Sequence, residues 1–264
     1  MSEKIAIIGG GNLGIAMAQG FIQSAFCSAA DITITKRNIS TLKGELPKTV
    51  TITNDNEKAV AESNVVILAV KPFQVEGVMQ NIAPSLTKKH ILISVITGVT
   101  LSDLKEMVKI QLPVFRAMPN TAVAIKESMT CISYENATDK QVQFVTRMFS
   151  TVGKVVVIDD KLMDAATVLG ACGTAFALRY IRANIQGGIE IGFDAKTASL
   201  IAAQTVKGAA ELLLSHNSHP EQEIDKVTTP KGCTIVGLNE MEHRGFSSSL
   251  IRGVITSYKK IAKD

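Results

Sequence analysis

The residues Gly9-Gly10-Gly11-Asn12-Leu13-Gly14 are the first group in the chain whose types and spacing can do chemistry. Gly9 suits a tight turn, Gly11 lets backbone approach a pyrophosphate, and Gly14 lets a helix pack close to a strand. The helix N-terminus then faces the anion. Ile5-Ala6-Ile7-Ile8 precedes this run and Ile15-Ala16-Met17-Ala18-Gln19-Gly20-Phe21-Ile22 follows it, which gives strand, turn and helix in the order a dinucleotide site requires. Past the next apolar run, Ile32 to Thr35, stand Lys36, Arg37 and Asn38, about 20 residues after the glycines, where such folds recognise the ribose. A carboxylate there would accept from a ribose 2'-hydroxyl. Two cations and a short amide instead attract a 2'-phosphate, which favours NADP over NAD. A basic turn after a strand is the plain alternative.

A third group lies near the C-terminus, Thr228-Thr229-Pro230-Lys231-Gly232-Cys233-Thr234-Ile235. Hydroxyls, a proline and a glycine here open a helix whose free N–H groups form an anion site, with Lys231 adding charge. A substrate carboxylate would suit it; a proline-initiated helix with threonine capping reads equally well. No Ser-His-Asp set stands out among His216, His219 and His243, which fall at polar element ends, and no metal-spaced cluster is present.

The elements that must position these groups follow from periodicity. Short strands at Thr49–Ile52, Val65–Val70, His90–Val95, Val114–Met118, Met129–Ser133 and Val155–Ile158 alternate with helical stretches at 57–63, 74–82, 101–108 and 140–150. Val65–Val70 is a continuous apolar run, the mark of a strand buried on both faces of a parallel sheet. Its end, Lys71-Pro72, belongs beside the cofactor, because ligands of open α/β sheets gather beyond the carboxyl ends of strands. From Asp160 onward only helices are expected: 163–187, 194–215, 232–244 and 247–260, with Asp194 and Ser247 as N-caps and Gly192 and Gly245 where helices stop. The fold class is thus α/β, an N-terminal Rossmann-type doubly wound and mostly parallel sheet plus an all-α C-terminal domain. The expected domains are residues 1–159 for the dinucleotide and 160–264 for dimerisation and substrate. A small-residue stripe at Ala198, Ala202, Val206, Ala209 and Leu213 fits either helix-to-helix dimerisation or an intramolecular bundle.

Composition excludes several classes. With 264 residues and 46% hydrophobic side chains the chain has material for two sizeable cores. Cys27, Cys131, Cys172 and Cys233 lie far apart without a C-x-x-C pair, so neither a zinc knuckle nor a disulfide framework is indicated, and reduced thiols in a cytosol fit best. A net charge of +4 from dispersed lysines and arginines argues against nucleic acid as partner. No apolar run approaches the roughly 20 residues of a membrane span and no signal-peptide pattern is present, so a cytoplasmic protein is expected.

Taken together, Gly9-Gly10-Gly11-Asn12-Leu13-Gly14, Leu68-Ala69-Val70-Lys71-Pro72, Arg116-Ala117-Met118-Pro119-Asn120-Thr121 and Pro230-Lys231-Gly232-Cys233-Thr234-Ile235 before Gly245-Phe246 resemble the pyrroline-5-carboxylate reductase family, in its order and spacing. The resemblance implies reduction of the cyclic imine 1-pyrroline-5-carboxylate to L-proline, the last step of proline biosynthesis, with NADPH and with NADH possible. It implies a homodimer through the C-terminal helices, or a ring of dimers. By that likeness Gly9, Gly11, Asn12 and Leu13 bind the pyrophosphate, Lys36 and Arg37 the adenosine end, and Asn56 its ribose. Ala69, Lys71 and Pro72 line the path to the nicotinamide, and Met118, Pro119 and Asn120 meet its ring and amide. Thr234 matches the threonine that hydrogen-bonds the imine nitrogen, and Gly232 and Cys233 offer N–H groups to the substrate carboxylate, while Lys231 beside them is counted with the substrate site for its charge alone.

The chain departs from the family pattern at Lys231-Gly232, usually a glycine pair, and at Leu169-Gly170-Ala171-Cys172-Gly173-Thr174-Ala175-Phe176, usually L-S-G-S-G-P-A-Y. Ser94-Val95-Ile96-Thr97-Gly98 is bulkier than the usual alanine-rich turn. The competing readings are a β-hydroxyacid dehydrogenase or related imine reductase, which generally carries a lysine in the first helix of its second domain where Met163 to Gly187 has none, and a non-catalytic NADP-binding sensor.

Overall fold

The structure, a computed structural model, describes residues 3–42 and 44–262. Two compact units divide the chain, Met1–Ala171 with Tyr258–Asp264, and Cys172–Ser257.

The first unit is built on one sheet of eight strands: β1 (Ile5–Ile8), β2 (Ile32–Thr35), β3 (Thr51–Thr53), β4 (Val65–Leu68), β5 (Ile91–Ser94), β6 (Val114–Met118), β7 (Ser128–Glu135) and β8 (Gly153–Val157). Their order across the sheet is β3-β2-β1-β4-β5-β6-β7-β8. Neighbours run parallel except β6 and β7, which are antiparallel. The order reverses beside β1, so β2 leaves on one side and β4 on the other, and the crevice of a doubly wound sheet opens at their carboxyl ends.

Strand β1 shows why the sequence specifies this layer. Ile5 and Ile7 enter one core with Met17, Phe21, Phe115 and Phe149, while Ala6 and Ile8 enter the opposite core with Leu68, Leu92 and Leu104. An unbroken apolar strand is thus buried on both faces, each large side chain contributing roughly 1.5–3 kcal/mol of transfer free energy. Helix α1 (Asn12–Gln23) covers the first core. Helices α2 (Asn56–Ala61), α3 (Val75–Ile82) and α4 (Leu101–Val108) cover the second. Helix α5 (Asp139–Ser150) returns to the first, its start fixed by the Thr138–Gln141 capping box.

Arg116, buried in β6, makes a charge cluster inside the same unit. Its Nη1 donates to Asp160 Oδ1 at 2.9 Å, and Nη2 lies 3.5 Å from Asp164 Oδ1. Ser133 Oγ also donates to Asp160 Oδ1, at 2.7 Å. A guanidinium that has lost its water needs such partners, and two carboxylates supply them.

In the second part of the chain the helices are α6 (Met163–Ala166), α7 (Gly173–Glu190), α8 (Ala195–His216), α9 (Pro220–Lys226), α10 (Cys233–His243) and α11 (Phe246–Ala262). Asp194 caps α8 as expected, accepting from the N–H groups of Lys196 and Thr197. The hydrogen bonds from Thr197 hold its carboxyl below the usual range. In the stripe on α8, Ala198 and Ala202 are buried, and a Cβ on Gly188 of α7 would stand 3.2 Å from that of Ala198. Small residues therefore let α7 and α8 approach closely.

Four expectations need correction. Helix α9 was not foreseen; His219, not a usual capping residue, accepts from Glu221 N–H and Pro220 occupies the first turn. Ser247 is not an N-cap, because α11 already begins at Phe246 after Gly245 turns at a φ of 81°, and the Ser247 hydroxyl donates to Glu242. Between α6 and α7 the backbone widens into a π-helix at Thr167–Cys172. Finally, Asp160–Glu190 forms a continuous helical run of 31 residues that by length and composition alone could cross a bilayer. Its glycines, alanines and arginines hide that length in a reading of apolar runs.

Candidate active site

The carboxyl ends of β1, β2, β3, β4 and β5 open onto one groove of about 1320 Å³ in the first unit. Gly9, Gly11, Asn12, Leu13, Lys36, Arg37, Asn56, Ala69, Lys71 and Pro72 all line it. The glycine turn has the geometry its spacing suggested. Gly9 adopts a φ of +120°, and a Cβ there would stand 2.5 Å from the Ala69 carbonyl oxygen at the end of β4. A Cβ on Gly14 would stand 2.2 Å from the Gly9 carbonyl oxygen, so both positions demand glycine to let turn, strand and helix meet.

Gly11 differs in kind. Its φ of −84° is open to any residue, and a Cβ built on it would meet nothing within 4 Å. The protein's own packing does not need this glycine; the space it leaves belongs to the groove. No side chain caps α1 at Gly11, so the N–H groups of its first turn remain for an external anion.

Charge in the groove points the same way. Lys36, Arg37 and Lys71 line it, and none of the described lining residues is acidic. Asn38, at the same rim, has its Oδ1 engaged by the N–H and hydroxyl of Ser40, which holds the turn after Lys36-Arg37 in shape. The residues present therefore fit a dinucleotide with a pyrophosphate at α1 and a further phosphate at the end of β2.

Met118, Pro119 and Asn120 are not among the lining residues. Met118 packs with Cys131 and Met163 in a small core of its own. Asn120 is engaged at both ends of its amide, Oδ1 accepting from Ala122 N–H and Nδ2 donating to the Gly170 carbonyl in the π-helix, each at 3.0 Å. The groove is lined instead by the next residue, Thr121, together with Val95, Ile96 and Thr97 past β5. Sequence reasoning also passed over Asn54, Phe73, Gly77, Val78 and Asn81, although all follow the carboxyl ends of β3 and β4 where ligands gather.

In the second unit, Thr229 to Gly232 form a turn in which Gly232 N–H donates to the Thr229 carbonyl at 2.9 Å. Pro230 and the left-handed Lys231, with a φ of +59°, occupy its centre as a type II turn requires. Gly232 caps α10 without any side-chain hydrogen bond. The N–H expected from Gly232 for a substrate carboxylate is thus already used by the turn, and the donors left at this helix start are those of Cys233 and Thr234. A Cβ at Gly232 would stand 2.5 Å from Thr229 Oγ1, which explains the second glycine of the motif. Cys27 and Cys131 take no part in either site: burial pushes the Cys27 thiol up to about 11, with Asp31 adding to it, and burial raises Cys131 as well.

Comparison with known proteins adds a decisive observation. Residues 160–264 match the family model described as pyrroline-5-carboxylate reductase dimerisation, and residues 4–98 match NADP oxidoreductase coenzyme F420-dependent. Over 280 residues the chain is 41% identical to pyrroline-5-carboxylate reductase 2 of Dictyostelium discoideum, covering 99% of this chain and 93% of that protein. The chain belongs to the pyrroline-5-carboxylate reductase family. It is also 44% identical to pyrroline-5-carboxylate reductase 1 of the same organism over 98% of its own length, and there it spans about half, 49%, of the longer relative. Among solved structures, pyrroline carboxylate reductase of Plasmodium falciparum with NADP bound superposes with a TM-score of 0.90 at 25% identity, covering 98% of this chain and 96% of that one. The pyrroline-5-carboxylate reductase of Coxiella burnetii gives 0.87 at 26% identity, covering 100% and 98%.

Lys231 carries a side chain in the left-handed region, which favours glycine. Lys231→Gly should raise unfolding free energy by about 0.5–1 kcal/mol, the relief of left-handed strain exceeding the added freedom of the unfolded chain. Urea unfolding checks this, and a loss of stability would show that the lysine side chain makes a contact worth more than the strain.

Proposed function

We propose that the chain reduces 1-pyrroline-5-carboxylate to L-proline with NADPH, NADH serving less well, and that it acts as a homodimer in the cytoplasm. The observation that carries the reading is Gly11, a glycine that packing does not require, at an uncapped helix start in a groove bearing cations and no described carboxylate.

In this reading Asn12, Leu13 and the backbone of Gly9 and Gly11 hold the pyrophosphate, while Lys36 and Arg37 pair with the 2'-phosphate and Asn56 takes the ribose. Ala69, Lys71 and Pro72 continue the path toward the nicotinamide. Because the side chain of Asn120 is engaged, the amide contact falls to backbone around Met118-Pro119-Asn120 and to Thr121. Bound NADPH supplies hydride to the imine carbon. The chain positions the reactants, and the Thr234 hydroxyl donates to the imine nitrogen, so that electron density arriving at the C=N bond meets a proton donor. Cys233 and Thr234 N–H groups with the Lys231 ammonium receive the substrate carboxylate.

Residues 160–264 serve as the dimerisation and substrate domain and residues 1–159 as the cofactor domain. Helices α7, α10 and α11 bury no described residue within a single chain, and Leu178, Leu200, Leu214, Val236 and Ile251 are exposed. A second copy would cover such a surface, and dimers can assemble further into a ring. It also accounts for the apolar helical run without a membrane.

The test is NADPH oxidation, followed optically, on adding pyrroline-5-carboxylate to the purified protein, then with NADH. Turnover supports the reductase; NADPH binding without consumption would leave the sensor. Thr234→Ala should lower kcat about 100-fold while leaving NADPH affinity unchanged. Equal loss of both would make the threonine a structural cap. The double substitution of Lys36→Ala and Arg37→Ala should weaken NADPH roughly 100-fold and NADH less than threefold, and an unchanged preference in titration would reject the 2'-phosphate assignment.

A further inference from the structure

Arg116, Met118 and Asn120 stand at alternate positions along β6 and the extended chain just beyond it. Phe115 and Ala117, which alternate with them, belong to the first core on the other face of the sheet. All three meet the helical run that starts at Asp160. Arg116 pairs with Asp160 and Asp164, Met118 packs with Met163, and Asn120 Nδ2 donates to the Gly170 carbonyl at 3.0 Å. The spacings agree, because residues 116 to 120 span roughly 13 Å at strand rise, and Asp160 or Asp164 to Gly170 spans roughly 9–15 Å at helical rise. The helical run therefore lies along this face of the strand, and Asn120 holds its far end.

Asn120 makes two further hydrogen bonds. Its N–H donates to Ser128 Oγ at 3.1 Å, and its Oδ1 accepts from Ala122 N–H to start the helical turn Thr121–Ile125. One end of the amide thus serves the turn that carries Thr121 into the groove, and the other serves the π-helix. Gly170 lies inside that π-helix, and the first unit ends at the next residue, Ala171. A stretch of π-helix within an α-helical run is a frequent mark of a functional position. In the groove, Lys36 and Arg37 follow β2 whereas Thr97 follows β5 and Thr121 follows β6, so the sheet order puts the two threonines at the end away from the 2'-phosphate. That end takes the nicotinamide.

We propose that Asn120 is a positioning residue: its amide fixes the π-helix to the nicotinamide end of the groove, and so sets the approach of the imine carbon to the hydride without touching either reactant. This rests on the reductase reading. The effect is on orientation, where a displacement of about 1 Å can cost roughly 100-fold in rate.

The experiment compares wild type with Asn120→Ser and Asn120→Ala by NADPH titration, turnover of pyrroline-5-carboxylate and amide hydrogen exchange, all well below the melting temperatures. Serine keeps an oxygen that can cap the turn and loses the reach to Gly170, whereas alanine loses both. Asn120→Ser should bind NADPH within about twofold of wild type and turn over roughly 10–100-fold more slowly at saturating substrate. Its amides over residues 167–173 should exchange about tenfold faster or more. Asn120→Ala should show the same kinetic loss with a lower melting temperature. NADPH affinity that falls in step with turnover would make Asn120 a cofactor contact and overturn the proposal. Full turnover in Asn120→Ser, or unchanged exchange over 167–173, overturns it as well, and each of these results leaves the reductase reading intact. A wild type that binds NADPH without consuming it brings down that reading and the proposal with it.

Discussion

The approach of the α1 helix to the end of β1 governs the rest of the molecule. A Cβ at Gly14 would sit 2.2 Å from the Gly9 carbonyl, and one at Gly9 would sit 2.5 Å from the Ala69 carbonyl, so helix, turn and two central strands meet through backbone alone. That closeness aims the first turn of α1 into the crevice where the strand order reverses. Gly11, between them, meets nothing. Packing requires two of these glycines and not the third, and the difference is visible only once each missing side chain is placed in its surroundings.

Around this turn the groove gains selectivity from charge. The helix start offers partial positive charge, Lys36, Arg37 and Lys71 add full charges, and no described lining residue opposes them. Among the described lining residues there is neither a carboxylate nor a histidine. Farther along the sheet, Arg116 with Asp160 and Asp164 shows the opposite regime. There a buried cation is neutralised inside the first unit and serves packing, as does Asn120, whose amide spans its own turn and the π-helix.

Much of this was legible in the sequence because it follows from side-chain periodicity. The expected bounds of the helix at Leu101–Val108 and the strand at Val114–Met118 are those of the structure; a capping threonine marks the first, and the second is mostly apolar around Arg116. Helix α9 was missed because its cap is a histidine and its length only seven residues. Ser247 misled because residue type suggests a cap, whereas the φ of Gly245 decides where the chain turns. The π-helix at Thr167–Cys172 leaves no signature in residue types, being a change of backbone register. The internal hydrogen bonds of the Asn120 amide and of the Gly232 N–H were not legible, because they arise from the fold and not from local spacing. Phe73 went unnoticed because a lone aromatic after a proline carries no motif.

The central claim is that Gly11 is kept for the pyrophosphate and not for the fold. Titration of NADPH into the Gly11→Val protein, alongside its melting temperature, tests it most directly. The expected result is an unchanged melting temperature, because the site is open and its φ is ordinary, with NADPH affinity reduced about 100-fold or more. Wild-type affinity in a folded Gly11→Val protein would contradict the account, since the pyrophosphate would then lie elsewhere.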